Sequence, residues 1–305
     1  MLKVTARPAL RSPALLCGFS GWADAASAAS GALRYLLVKR PGRSIAEFDP
    51  DQIYVYTTTR PLSLFDELGR RRLQWPELTF TAVEVPEASR DLVILLGSEP
   101  DLRWRECITA IGDFILELGV SQVITFGAFL AQLHYAGAPV IQGLTNDPKL
   151  QHRLNELGIR QSSYQGPTSF VTAILRKAFE LRIPSFSLWA AAPSYLSNTS
   201  NPKLAAALLR QAEKLLGQDL WVQELEVAGR DMERRIADAL RERPDLANFL
   251  RQLSGESPTL ESQPSTAEES TETELPSAEE VLQDLEEYLR RLKEGPSEKT
   301  GNGES

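Results

Sequence analysis

The chain has 305 residues, 42 % of them hydrophobic and 24 % charged, the make-up of a globular protein with room for one large α/β domain and appendages. No apolar run reaches the roughly 18 residues of a membrane helix, and the start MLKVTARPALRSPALLCGF has no secretory pattern, so a cytoplasmic protein without membrane attachment is expected. The formal charge of −8 comes from one segment: residues 255–280 hold eight acids and no base, and the balanced remainder offers no basic surface for a nucleic acid.

The run ALLCGF at 14–19 reads as a strand, and the alanine-rich 22–38 as a helix closed by KRPG. SIAEFD (44–49) and QIYVYTT (52–58) read as two strands. Residues 62–77 are a loop or hairpin, and the alternating LTFTAVEV (78–85) is a half-exposed strand. DLVILLG (91–97) and SQVITFG (121–127) are continuous apolar runs, as expected of strands buried on both faces. The helix between them places Trp104, Cys107, Ile108, Ile111, Phe114, Ile115 and Leu118 at i, i+3, i+4 spacing. PVIQGLT (139–145) is a further strand, and Asp147-Pro148 supplies cap and first-turn proline for a short helix to residue 157. A helix at 168–181, a late strand PSFSLWAAAP (184–193) and helices at 202–216 and about 221–242 follow, with one or two more turns at 245–253.

The composition then changes. Residues 254–276 are Ser, Thr, Glu and Pro, the signature of a disordered acidic linker. At 277–294 the pattern is that of an amphipathic helix, with a Ser277/Glu280 capping box and an apolar stripe through Val281. A lone helix of this length is marginal in water, so the stripe is expected to dock. Leu282, Leu285, Tyr288, Leu289 and Leu292 are the partner-binding candidates. The expected organisation is an α/β core at 1–200, a helical extension at 201–253, the linker, the terminal helix and a disordered tail at 295–305.

Alternating strands and helices imply an α/β fold whose mostly parallel or mixed sheet is covered by helices on both faces. Ligands in such folds bind past the carboxyl ends of the strands. The candidates there are Gly18, Ser20, Gly21, Trp22 and Asp24 after the first strand, Arg60 after YVYTT, and Glu99 after DLVILLG. His134 follows QVITFG, Asn146 follows PVIQGLT, Gly166 and Thr168 precede a helix, and Tyr195 ends the late strand. GFSGWADA is neither a dinucleotide nor a P-loop fingerprint. Its glycines and serine suit amides presented to an anion, and equally a plain strand-to-helix turn. Arg60 can hold an anion or pair with Glu99 or Asp24, and Glu99 can bond Arg103 four residues on. His134 or Asp24 would be the proton acceptor of an enzyme, although no GxSxG, HExxH or kinase signature occurs. Cys17 and Cys107 read as buried free thiols, and with two histidines and no CxxC neither a metal site nor a cofactor is expected.

Seven motifs stand in order: GFSGWADA, TRP at 59–61, GSEPDLRW at 97–104, GVSQVITFGAFLA at 119–131, NDP at 146–148, YQGPTS at 164–169 and SLWAAAPSY at 187–195. Together they resemble the proteasome assembly chaperone family, in its bacterial and archaeal branch. The resemblance implies a nucleoside-phosphorylase-like fold with a C-terminal helical extension and self-association into a homo-oligomer, and it implies a chaperone role only for eukaryotic and some archaeal members. The apolar terminal helix on its acidic tether and the lack of an acid/base pair with defined spacing favour a non-catalytic protein-binding module of the assembly-chaperone type here. Eukaryotic and some archaeal members dock on proteasome rings through a hydrophobic-tyrosine-any tail. This chain ends GNGES, so docking by that route is not expected. Ala23 stands where members often carry Asn, Ser194 where a His often follows the proline, and Leu133-His134-Tyr135-Ala136 replace a Pro-His-Thr-Arg-Pro run. Those are groups an enzyme would use for proton transfer or anion holding. The alternative reading is a small-ligand binder or a phosphorylase- or hydrolase-like enzyme using the strand-end crevice.

Overall fold

Apolar runs become strands and apolar stripes become helices over residues 1–243, the part of the chain that the computed structural model describes. The strands are β1 (Leu2–Val4), β2 (Ala14–Ser20), β3 (Arg43–Phe48), β4 (Leu62–Phe65), β5 (Arg71–Gln74), β6 (Leu78–Val83), β7 (Leu92–Ser98), β8 (Gln122–Ala131), β9 (Ile141–Leu144), β10 (Arg160–Gln161) and β11 (Ser185–Pro193). The helices are α1 (Ala28–Lys39), α2 (Pro50–Ile53), α3 (Trp104–Glu117), α4 (Pro148–Glu156), α5 (Phe170–Glu180), α6 (Pro202–Leu216) and α7 (Gln223–Glu242).

Nine strands form one mixed sheet in the order β1-β3-β6-β7-β2-β8-β11-β9-β10, and β4-β5 form a separate ribbon. The central four, β7-β2-β8-β11, are parallel, from Ala14 beside Leu92 to Pro193 beside Ala131. They are the apolar strands, because parallel strands joined by helices are covered on both sides. Antiparallel strands extend both flanks: β6, β3 and β1 on one, β9 on the other. Alternate side chains of β2 feed two cores. Ala14 and Leu16 pack with α1, α4 and α6, and Leu15, Cys17 and Phe19 pack with α3 and α5. Helix α7 lies against α6 and adds Leu225 to the first core. The caps read from sequence are in place: Asp147 accepts from the Lys149 amide (2.9 Å) and Asn201 from the Leu204 amide (3.1 Å), each before a proline.

Both thiols are buried; burial raises the Cys17 pKa and pushes that of Cys107 up to about 11. No helix among the described residues is long and apolar enough to cross a membrane.

Several expectations are corrected. QIYVYTT is not a strand. Asp49 caps the turn α2, accepting from the Asp51 amide and from Gln52 Nε2 (2.7 Å), with Pro50 in the first turn. Tyr54 then buries its ring and sets its hydroxyl 2.9 Å and 2.8 Å from the carbonyl oxygens of Glu77 and Ser98. A cap and a buried aromatic outweigh the β preference of Tyr, Val and Thr, which is weak outside a ladder. Residues 62–77, expected as a loop or hairpin, do hold a hairpin, the ribbon β4-β5. The first long helix starts at Ala28 rather than Trp22, because Ala26 and Ser27 take positive φ (54° and 49°) and break the early turn. Edge strand β1 and two-residue β10 went unforeseen, being too short to show a period. The expected turns at 245–253, the linker, the terminal helix with its Leu282–Leu292 stripe, and the tail lie outside the described residues.

Two contacts hold the sheet's centre. At Gly97 a β-carbon would stand 1.9 Å from the Glu77 carbonyl oxygen, so only glycine admits the chain entering β6. At the other end Asp91, 2 % exposed, accepts from the Arg11 amide (2.8 Å), Arg11 Nη2 (2.8 Å) and the Val85 amide (2.9 Å). It thereby ties together the entries to β2 and β7 and the exit from β6. Burial opposes the charge on Asp91, yet the Arg11 guanidinium and the two amides outweigh it and hold the carboxyl below the ordinary Asp value. Asp91→Ala is expected to cost about 2–3 kcal/mol in urea unfolding, because it strips buried amides of their acceptor. The pH dependence has a definite sign. A depressed carboxyl contributes fully above the unfolded value near ~3.9, and the contribution fades as pH falls toward the folded value. Stability measured from pH 7 downward should therefore fall less below about pH 4 in Asp91→Asn than in the native chain.

Candidate functional site

Parallel pairing brings the ends of β2, β7, β8 and β11 to one edge of the sheet. Ser20 and Ser98 close their strands side by side, hydroxyl oxygens 3.3 Å apart, and the Glu99 amide donates to the Ser20 carbonyl (2.9 Å). Gly21 follows at φ +137°, a backbone that side chains rarely adopt, and its missing β-carbon would sit 3.2 Å from Glu99 Cβ.

The Glu99 carboxylate is turned to the backbone. Its Oε1 accepts from the Phe170 amide (2.7 Å), which opens α5, and the group also accepts from the Trp22 amide. Burial raises its pKa, with the two amides acting the other way. Glu99 thus fastens the β2 turn to a helix start that presents unpaired N–H groups.

Asp24 has the same kind of task on the opposite face. Its Oδ1 accepts from the amides of Ala29 (2.8 Å) and Ser30 (3.0 Å), and its Oδ2 from the buried Ser30 hydroxyl (2.5 Å). Arg34 Nη1 donates to the same hydroxyl (3.1 Å). Burial raises the Asp24 pKa, and the Ser30 and Ala29 donors oppose it. The Ala128 amide donates to the Ala23 carbonyl (2.7 Å), so the chain keeps its place beside β8 past the end of β2.

The other candidates fall in four places. Gly18 is buried within β2, where a β-carbon would touch Leu33, Ala29 and Phe126, so it makes room for α1 rather than offering an amide. Tyr195 is buried with its hydroxyl accepting from the Tyr135 amide (2.8 Å); burial pushes its pKa up to about 12. Gly166 and Thr168 lie exposed in the loop before α5, with the Tyr164 hydroxyl over Gly166 donating to the Pro167 carbonyl (3.1 Å). Asn146 is carried away: β9 runs antiparallel to β11, with Leu144 beside Ser187, so its carboxyl end points to the opposite edge.

The expected ion pairs are replaced. Arg60 is exposed and pairs with neither Glu99 nor Asp24, nor with any other acid among the described residues. Arg103 bonds Glu106 and Gln52 Oε1 (3.0 Å), because its positive φ (56°) turns it away from Glu99. His134 is exposed, its Nδ1 accepting from the Ala136 amide (3.2 Å) and its ring against Tyr135, and it makes no contact with Asp24. Trp22 is 62 % exposed. Two surface hollows, of about 460 Å³ between β3 and β5 and about 210 Å³ between α6 and α7, contain none of Asp24, Arg60, Glu99 or His134. No group of three or more His, Cys, Asp or Glu side chains among the described residues is placed to hold a metal ion.

Sequence reasoning passed over Asp101 and Ser30. Asp101 accepts from the Val55 amide (2.8 Å) and the Thr59 hydroxyl (3.1 Å), fixing the loop that carries Arg60. The Pro100-Asp101 turn was its visible signal. Ser30 had none, being one small residue in an alanine-rich helix.

The sequence matches the family model of the PAC2 family over residues 18–240. Among solved structures it is similar to a PAC2 family protein of Streptomyces avermitilis, with 32 % identity, a TM-score of 0.68, and coverage of 74 % of this chain and 95 % of that one. A proteasome-assembly chaperone homologue of Mycobacterium tuberculosis matches at 29 % identity and TM-score 0.69, covering 78 % of this chain and 99 % of that one. An archaeal proteasome activator of Pyrococcus furiosus shares the fold at 18 % identity and TM-score 0.60, over 78 % and 98 % of the two chains. No curated protein matches.

Two substitutions test the backbone role of the carboxylates. Glu99→Ala is expected to lower stability in urea by about 2–3 kcal/mol, by leaving the Phe170 and Trp22 amides without their acceptor. Gly21→Ala should cost about 1–3 kcal/mol through strain at positive φ, with the Glu99 contact displaced.

Proposed function

Since the chain belongs to the PAC2 family, we propose that it is a non-catalytic, protein-binding protein of the assembly-chaperone type, acting as an oligomer. The observation that carries this is the character of the carboxyl edge. Its acids Asp24 and Glu99 are engaged with backbone amides, and besides the exposed Arg60 and His134 it leaves large apolar side chains open. Trp22, Val55, Leu102 and Leu130 are exposed around the strand ends, and the ribbon β4-β5 adds more. Clustered exposed apolar side chains with polar surroundings are the usual mark of a protein-binding surface. The Mycobacterium tuberculosis relative described as a proteasome-assembly chaperone homologue supports the same reading. The stripe Leu282, Leu285, Tyr288, Leu289 and Leu292 is proposed as a second contact for a protein partner. The core at 1–200 would carry the edge surface, and the part from 201 onward would serve as the extension that reaches the partner.

The competing reading, a small-anion binder or a phosphorylase- or hydrolase-like enzyme, has one observation in its favour: Arg60, an exposed cation near the edge that forms no ion pair among the described residues. One set of measurements separates the two. Light scattering on the full chain is expected to give a mass above one chain. Cross-linked capture from cell extract is expected to recover subunits of a larger assembly, and a Trp22→Asp/Leu130→Asp variant should lose them while melting within a few degrees of the native chain. Phosphate, nucleosides and nucleotides should leave the melting temperature unmoved. A ligand at about 100 times its dissociation constant adds about 2.7 kcal/mol. A shift of that size, abolished by Arg60→Ala, would replace this reading with the competing one.

A further inference from the structure

The ribbon β4-β5 stands outside the main sheet and leaves large apolar groups on both its faces: Leu62, Phe65 (64 % exposed), Leu68 (75 % exposed), Leu73 and Trp75. A two-stranded ribbon is marginal by itself in water and needs a cover over an apolar face. Its charges show what kind of cover suits it. Arg71 lies over the Phe65 ring, donates to the Ser63 hydroxyl and forms no ion pair among the described residues, Arg72 faces the other way into the hollow that Glu47 and Glu77 also line, and Arg70 is neutralised by Asp66.

The complementary surface is in the same chain. Residues 277–294 carry the leucine-tyrosine stripe with five acids around its first part, Glu279, Glu280, Asp284, Glu286 and Glu287, while Arg290, Arg291, Lys293 and Glu294 fall at its end. Both ends of the connection lie at one edge. The ribbon rises beside the start of β6, where Leu78 pairs with Gly97 near the carboxyl end of β7. Helix α7 runs up to the loop after β8: Lys203 links Glu233 to the carbonyls of Tyr135 and Gly137, and Arg241 lies within electrostatic reach of Tyr135. Strands β6 and β8 are three ladder steps apart, about 14 Å. The thirty-three residues 244–276 can span about 30 Å even as a loose coil.

We infer that residues 277–294 dock their apolar stripe, intramolecularly, on the face of the β4-β5 ribbon that carries Phe65 and Leu73, with the acids of that segment beside Arg71. This docking is a property of the single chain and stands whether or not the partner proposed above exists. It also gives the ribbon its cover while no partner is bound.

Hydrogen exchange followed by mass spectrometry on the full chain, at two protein concentrations, tests it. Amides of 62–75 are expected to exchange about tenfold faster in a Leu285→Asp/Leu289→Asp variant than in the native chain, at both concentrations. Amides of β7 and β8 serve as the folding control and should not change. An Arg71→Glu variant should speed the same amides, and about 0.5 M salt should reduce the native protection. Equal exchange at 62–75 in the native chain and the leucine variant overturns the inference. Protection that appears only at the higher concentration, together with a doubled mass, assigns the ribbon to a second copy and overturns it as well.

Discussion

The parallel alignment of β7, β2, β8 and β11 is the constraint from which the rest of the molecule follows. Once four apolar strands point the same way, every connection leaving them must begin at a common edge, and every helix must cross back over a face. The edge is then crowded with turns whose amides need partners. Glu99 and Asp24 meet that need on opposite faces of the sheet, each gripping the first turn of a helix. The positive φ of Gly21 and the seat of Glu99 are two aspects of one tight turn.

That arrangement changes how the polar residues at the strand ends should be understood. An acid with a raised pKa beside a crevice is ordinarily a candidate for chemistry. Here burial raises both carboxyls, but each already accepts from two backbone amides, and Asp24 from the Ser30 hydroxyl as well. The same burial that perturbs the groups also withdraws them. The apolar groups left at the edge are the better guide to what the surface meets.

The central strands and their helices were legible because their signals are redundant: long apolar runs for β7 and β8, an unbroken stripe for α3, and caps before proline for α4 and α6. The edge itself was legible as a list of loops, yet not as a geometry. Asn146 was misplaced because strand direction is invisible in PVIQGLT; an antiparallel strand and a parallel one have the same composition, and only the register with β11 decides. The segment 52–58 was misread because a buried tyrosine between two carbonyls looks, in one dimension, like an alternating strand. The ion pairs expected of Arg60 and Arg103 failed because sequence neighbours compete: Glu106 is closer to Arg103 than Glu99, and Asp101 holds the loop beside Arg60 through uncharged donors.

The two cysteines have a practical corollary. Both lie inside one core, the one that β2 shares with α3 and α5, protonated by their apolar surroundings, and the chain contains no others. Thiolate is the reactive form, so native sulfur is silent toward maleimides and disulfide reagents while the fold is intact. A sulfhydryl introduced at any surface position would be singly addressable without first stripping the native ones. Conversely, the sudden appearance of two alkylatable sites is a direct chemical clock for the opening of the core under α3 and α5.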